Sequence, residues 1–240
     1  MIVYGSSLSP FVRKVLAFAA EKGVAVEVVR AGMGQGGPDF AEASPFAKMP
    51  ALRDPGADGG RDFVISDSTA ICHYIEAKYP EHPLIPAGPV ARARVVWFDE
   101  FADTMLAAVG GKMFFNRFVA PMVLKRPGDL GIASRAEAEE LRPLLDYLER
   151  VVPDEGFLVG DALTLADIAV ASPFVNLHHI GWMHDTAYWP RLAGYATGIL
   201  ARPSFAPMIA SEQRMIAAMS AAGGLTGNAA GNGTDGMAAG

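Results

Sequence analysis

Serine hydroxyls crowd GSSLSPFVRK (residues 5–14), where a strand-like run, MIVY, gives way to a helical one. Serine is a favoured helix N-cap, and proline suits the first helical position because its missing N–H would be unpaired anyway. Ser9-Pro10 therefore places a hydroxyl at the positive end of a helix, a location that attracts anions. A thiolate held there would be stabilised by the hydroxyl and by backbone N–H groups. The bland alternative is that Ser9 only caps the helix. Ser-Pro recurs at Ser44-Pro45 and Ser172-Pro173, so the dipeptide alone does not decide. Ser6 and Ser7 are alternative candidates for the same role.

SDST (66–69) repeats the situation before a second apolar run, with Asp67 and Ser68 ahead of Ala70, Ile71 and Ile75. Capping explains one of these side chains. A carboxylate beside a hydroxyl can also take an amino-acid head group: the acid binds the ammonium, while the hydroxyl and helix N–H groups bind the carboxylate. KMPAL (48–52) sets Pro50 at the start of a strand after an irregular stretch. A cis bond there would turn the backbone of Met49 outward, free to hydrogen-bond a peptide-like ligand.

These segments need elements to hold them. MIVY predicts a strand, and Phe11, Val15 and Phe18 recur at helical spacing from Pro10 onward, with Arg13, Lys14, Glu21 and Lys22 left for the rim. Gly23 suits the helix end, and VAVEVV (24–29) reads as a buried β-branched strand. A Gly-rich irregular stretch (31–40) follows, then strands at the end of SPFAKMPAL and at DFVIS, and a helix at SDSTAICHYIEAKY. Residues 1–80 thus predict a small mixed-sheet domain. Three prolines in EHPLIPAGP (81–89) mark a stiff linker over 81–90. Residues 91–222 contain only helical patterns: one beginning at Ala91 and interrupted at Gly110-Gly111, one over SRAEAEELRPLLDYLERVV, and others from Thr164 and Pro190. The tail, 223–240, lacks aromatics and periodicity and is expected to be disordered.

Composition narrows the function. Twenty Lys+Arg against 26 Asp+Glu give a net charge of −6, which argues against nucleic acid as the partner. No apolar run reaches the roughly 18–20 residues that span a bilayer, and no signal-like block opens the chain. The single cysteine, Cys72, cannot form an intramolecular disulfide or a CxxC pair. A cytoplasmic protein is expected.

Taken together, the three segments resemble the glutathione transferase superfamily over about residues 1–222. The family's strand-then-Ser-x-x-x-Arg pattern corresponds to Ser9 and Arg13, its K-V-P-x-L to Lys48-Met49-Pro50-Ala51-Leu52, and its acid-Ser-x-A-I to Asp67-Ser68-Thr69-Ala70-Ile71, with the expected aromatic at Tyr74. FLVGDALTLADIAV (157–170) resembles a helix-start segment of the second domain. There Thr164 and Asp167 predict a capping box and Leu163 with Ile168 a hydrophobic staple, a folding element rather than a catalytic one. Pro190-Arg191-Leu192 and Arg202-Pro203-Ser204-Phe205 fit the closing helices. Ser44, Ala47 and Asp67 stand where asparagine, glycine and glutamate are commoner.

The resemblance implies an N-terminal thioredoxin-like domain, an all-helical C-terminal domain that shapes an acceptor pocket, and a homodimer. It implies glutathione as co-substrate and a small, apolar electrophile as its acceptor, with no metal. Ser9 becomes the thiol activator, with Phe11, Lys48, Met49, Pro50, Asp67 and Ser68 as the glutathione-binding set. The pattern resembles serine-type classes such as theta and delta. Omega-type relatives and glutaredoxins carry cysteine before the same proline, so disulfide chemistry by a protein thiol is disfavoured. A non-catalytic transferase-like module for assembly or ligand carriage is the rival, and a glutathione-dependent dehalogenase, ether-cleaving or isomerase variant of the same thiolate chemistry is the other alternative. The aromatic stretch 110–131 either covers the acceptor pocket or belongs to the core. His178, His179 and His184 lack an acidic or cysteine partner in sequence and are read as core or pocket residues rather than metal ligands.

Overall fold

The computed structural model describes residues 1–228, Met33 excepted. Four strands form one sheet in the order β2-β1-β3-β4. β1 (Ile2–Tyr4) and β2 (Glu27–Val29) run parallel, which requires a crossover, and α1 (Pro10–Glu21) supplies it. β3 (Ala51–Asp58) pairs antiparallel with β1 and with β4 (Arg61–Ser66). α2 (Gly37–Ala43) lies between β2 and β3, and α3 (Ser68–Lys78) follows β4. This is a thioredoxin-like domain.

The register fixes where the chemistry can be. Val29, Tyr4, Ala51 and Ser66 stand side by side in one row across the sheet. The chain leaves that row at Arg30, Gly5 and Asp67, and enters it from Pro50. All three serine- or proline-marked segments therefore meet along one edge of the sheet.

Several expectations need correction. The strand expected over 24–29 is confined to Glu27–Val29 and lies at the sheet edge, with Glu27 and Val28 exposed. The stretch read as irregular contains α2, begun by Pro38 in its first turn. Gly110-Gly111 does not interrupt its helix but lies inside it.

The second domain is entirely helical among the described residues. α4 (Pro89–Glu100) and α5 (Ala107–Phe114) form one continuous run that widens into π-helical turns at Phe101–Leu106 and Phe115–Val123. α6 (Leu130–Arg135) passes through a third such turn, Ala136–Leu141, into α7 (Arg142–Val151). α8 (Leu165–His179) is buried at every residue from Leu165 to Leu177, as a helix apolar on all sides must be. Its start is the capping box foreseen: the Thr164 N–H donates to Asp167 Oδ2 at 2.8 Å. α9 (Pro190–Leu200) and α10 (Ala206–Asn228) complete the domain. The rest of the tail, beyond 228, lies outside the described residues.

α1 is where the domains are joined. It packs on α3 within its own domain and on α8 across the boundary, so the face expected at the rim is an interface. Arg13 and Lys14 are 0% and 1% exposed, and Lys22 is buried too. Each cation has partners. Arg13 bonds Glu212 of α10 through Nε and Nη2, Asn176 Oδ1 at 2.9 Å and the Ser172 carbonyl at 2.8 Å. Lys14 Nζ reaches Asp99 at 2.7 Å and Asp103 at 2.6 Å. Lys22 bonds Glu76 and two backbone carbonyls, and Glu21 accepts from Arg202 and Ser204.

Burial pushes the Glu212 carboxyl up, but His179, Arg13 and Ser7 overcome it and hold the group below its ordinary value. Removing that carboxylate leaves a buried guanidinium without its counter-charge. Glu212→Ala is expected to destabilise the protein by about 3 kcal/mol or more. Urea unfolding midpoints of the variant and the parent chain check this.

Candidate active site

Ser9 occupies the N-cap position of α1, with extended backbone angles (φ −79°, ψ 127°) and Pro10 following. Its side chain makes no capping bond. The turn is closed instead by the backbone, Ser9 N–H donating to the Ser6 carbonyl at 2.9 Å. The Ser9 hydroxyl is thus left for the cavity on whose wall it stands. Ser6 lines the same cavity, its Oγ accepting from Leu8 N–H at 3.4 Å, whereas Ser7 is not on its wall.

The cavity measures about 830 Å³ and lies between the two domains. Ser6, Ser9, Arg30, Gly32 and Met49 come from the sheet edge. Gly110, Gly111, Phe114, Phe115 and Phe118 come from the α4–α5 run, and Met215 and Met219 from α10. The stretch 110–131 contributes both to the core and to the cavity wall: Phe114 and Phe118 are buried and stacked, and they also line the cavity.

The Met49-Pro50 peptide bond is cis. Two glycines beside this turn have positive φ, and a side chain on either would press on a neighbour. A Cβ at Gly32 (φ +94°) would lie 2.9 Å from Met49 Cε, and one at Gly5 (φ +147°) only 2.5 Å from Val12 Cγ2. Ser44 Oγ donates to the Lys48 carbonyl at 2.6 Å and braces the same turn. Ala47 sits there at φ +54°, in the left-handed region where an L side chain costs about 1 kcal/mol. Glycine at that position would remove the clash.

Asp67 begins α3 at φ +93°, and its Oδ1 accepts from Ala70 N–H at 3.0 Å. Ser68 is buried and donates to Asp103 Oδ2 at 3.1 Å. Burial and the neighbouring Asp99 push the Asp103 carboxyl up, against Lys14 and Ser68, which pull it down. Lys14 is itself penalised by burial, but the two aspartates raise it above its ordinary value. This ionic cluster of Lys14, Asp99, Asp103, Ser68 and Thr69 braces the start of α3 from behind. Nothing in the sequence marked it, since its members are far apart in the chain.

Of the predicted site residues, Ser9 and Met49 line the cavity, with Pro50 directly after. Asp67 and Ser68 stand at the same sheet edge but off the cavity wall, Lys48 is exposed, and Phe11 is partly buried outside the wall. Cys72 is buried in α3, and burial pushes its thiol far up, so it is no nucleophile. Among the described residues no group of His, Cys, Asp and Glu is arranged to hold a metal ion, and no helix is long and apolar enough to cross a membrane.

A thioredoxin-like domain with a cis-proline, a serine at the first helix and an all-helical domain across an apolar cleft defines the glutathione-transferase class of fold. The comparisons agree. Residues 3–83 match the glutathione S-transferase N-terminal domain and residues 132–197 the C-terminal domain. The chain is 31% identical to glutathione S-transferase 3 of Zea mays, over 87% of its own length and 93% of the relative's. It belongs to the glutathione S-transferase family. A solved glutathione S-transferase from Methylobacterium radiotolerans, in complex with glutathione sulfonate, is similar at 26% identity and a TM-score of 0.69, covering 87% of this chain and 93% of that one. A stringent starvation protein A homolog from Coxiella burnetii is 26% identical over 75% of this chain and 78% of its own.

Two predictions follow from the geometry around the site. Ala47→Gly relieves the left-handed alanine and is expected to raise stability by up to about 0.5 kcal/mol, since the extra chain entropy of glycine offsets most of the strain relieved; thermal melts compare it with the parent. The second concerns His178 and His184, whose Nε2 atoms are buried without partners; His184 packs on Phe174 and Trp182, and His178 on His184. Burial lowers both imidazoles, that of His184 to about 4. Below about pH 6.5 the unfolded chain binds protons that the folded His184 refuses, so stability present at neutral pH is lost as the pH falls from there toward 4. The loss at pH 5 should be about 1–2 kcal/mol. His184→Phe should flatten that part of the urea-midpoint profile.

Proposed function

We propose that the protein is an enzyme that activates the thiol of glutathione for attack on a small apolar electrophile. The observation that carries this is the Ser9 hydroxyl, spared from capping and facing the cavity at the positive end of α1. Bound glutathione supplies the sulfur nucleophile. A free thiol has a pKa of about 8.5, so only a few per cent is ionised at neutral pH. Lowering it by about two units requires roughly 2.7 kcal/mol of preferential thiolate stabilisation. The Ser9 hydroxyl as donor and the α1 N-terminus as a fixed positive dipole are suited to provide that together. Ser9 does not itself attack, because no His, Asp or Glu among the described residues lines the cavity beside it and a thiolate is the better nucleophile.

The remaining assignments follow the sheet edge. In this reading the backbone of Met49 hydrogen-bonds the cysteinyl part of glutathione, Asp67 and Ser68 take its γ-glutamyl end at the start of α3, and Lys48 lies near the glycyl carboxylate. Pro50 fixes Met49, and Phe11 supports the loop from α1. The apolar wall of the second domain excludes water from the acceptor. A homodimer and a cytoplasmic location complete this reading; Phe46, 85% exposed, is the kind of group a subunit contact covers. The rival reading is a non-catalytic module for assembly; what favours it is similarity to a protein that bears the name stringent starvation protein A homolog and not that of a transferase.

Ser9→Ala separates the alternatives. Since no capping bond is lost, its stability should change by well under 1 kcal/mol. An activating Ser9 predicts near-parental glutathione affinity, a raised thiol pKa in the complex and turnover lower by about tenfold or more. Thiolate absorbance against pH, measured also in Ser6→Ala and Ser7→Ala, reads this out. Unshifted titrations in all variants, or a chain that binds no glutathione, leave the assembly role.

A further inference from the structure

The cavity wall is apolar except at a few points, and Arg30 is its one charged residue among those described. Arg30 leaves the sheet row directly after Val29, so its backbone is held at the same edge as the Ser9 loop. Its guanidinium reaches across to α10, where Nη2 lies 3.1 Å from Met215 Sδ, a weak acceptor. It makes no ion pair with any described residue. A second guanidinium, Arg126, lies 5.7 Å from the ring centre of Phe115, itself part of the wall. Among the described residues no carboxylate lines the cavity. In a chain with six more acids than bases overall, this cleft is locally cationic.

We propose that the acceptor of this protein carries an anionic group, of the carboxylate or sulfonate kind, which Arg30 holds. The inference rests on the transferase reading above and narrows its substrate class. The apolar body of such a ligand lies against Phe114, Phe115 and Phe118, and its reactive atom faces Ser9. Arg is suited to the part because its fork of N–H groups matches the paired oxygens of these anions. Glutathione itself carries a glycyl carboxylate, the same chemistry from another source. The acceptor is the better assignment because Arg30 points to α10 and the helical wall, whereas Lys48, Met49, Asp67 and Ser68 lie along the first domain.

A matched pair of fluorescent probes tests this without requiring turnover: 1-anilinonaphthalene-8-sulfonate and its uncharged counterpart N-phenyl-1-naphthylamine. Both are titrated into the full chain and into Arg30→Gln, with and without saturating glutathione. Arg30 is exposed, so the variant should keep its fold, and a thermal melt verifies that. The parent chain should prefer the sulfonate. In Arg30→Gln its Kd should rise about tenfold, equivalent to roughly 1.4 kcal/mol, while the neutral probe changes by less than about twofold. The preference should shrink with added salt, as for any solvent-accessible ion pair, and persist in saturating glutathione. Absence of a sulfonate preference in the parent, or equal loss for both probes, overturns the proposal. Loss of the preference when glutathione is present assigns Arg30 to the glycyl carboxylate and overturns it as well. Failure of the Ser9 titrations alone leaves these binding results intact, so the two readings fail separately.

Discussion

Everything chemical in this protein depends on the register of four short strands. Because Val29, Tyr4, Ala51 and Ser66 fall in one row, the segments that follow or precede them converge without any long-range design of loops. A slip of one residue in any pairing would turn side chains to the opposite face and carry a segment about 3.3 Å along the sheet. The cis Met49-Pro50 turn, the glycines at 5 and 32 and the Ser44 brace all crowd against that row.

The second constraint is the burial of α1 between two domains. A helix so placed cannot keep a solvated charged face, and it does not: its cations are satisfied by acids from α3, α4, α10 and the π-helical turn after α4. These pairs contribute orientation more than net stability, since desolvation offsets most of the attraction. Their geometric effect is direct. Glu212, through Arg13, ties α10 to the helix that Ser9 begins, and α10 in turn presents Met215 and Met219 to the cavity.

Local signals were legible in the sequence wherever a residue type has one strong physical use. Ser9-Pro10 marked a helix start, Thr164 and Asp167 a capping box, and the proline-rich 81–89 a break between domains. Arg13, Lys14 and Lys22 were misjudged because helical periodicity reports only which residues share a face, and the partners that make a charged face buried lie 54 or more positions away. The same distance hid Asp99, Asp103 and Glu212. Arg30 carried no motif at all; it is the strand register that gives it meaning. VAVEVV was misjudged since β-branched composition does not distinguish an edge strand from a central one.

The π-helical turns in the second domain have a consequence of their own. Each such turn adds a residue to a helix without unwinding it, which rotates everything beyond by about 100°. In the run from Pro89 to Val123 these turns set which side chains look into the cleft, and Pro121 lies within the second of them. A one-residue deletion in Phe115–Val123 could be absorbed by tightening to an ordinary α-turn, while Phe118 and Val119 exchanged places with their neighbours. The acceptor wall is therefore adjustable by chain length as well as by substitution. Ser9 and the sheet edge, in the other domain, would register no change.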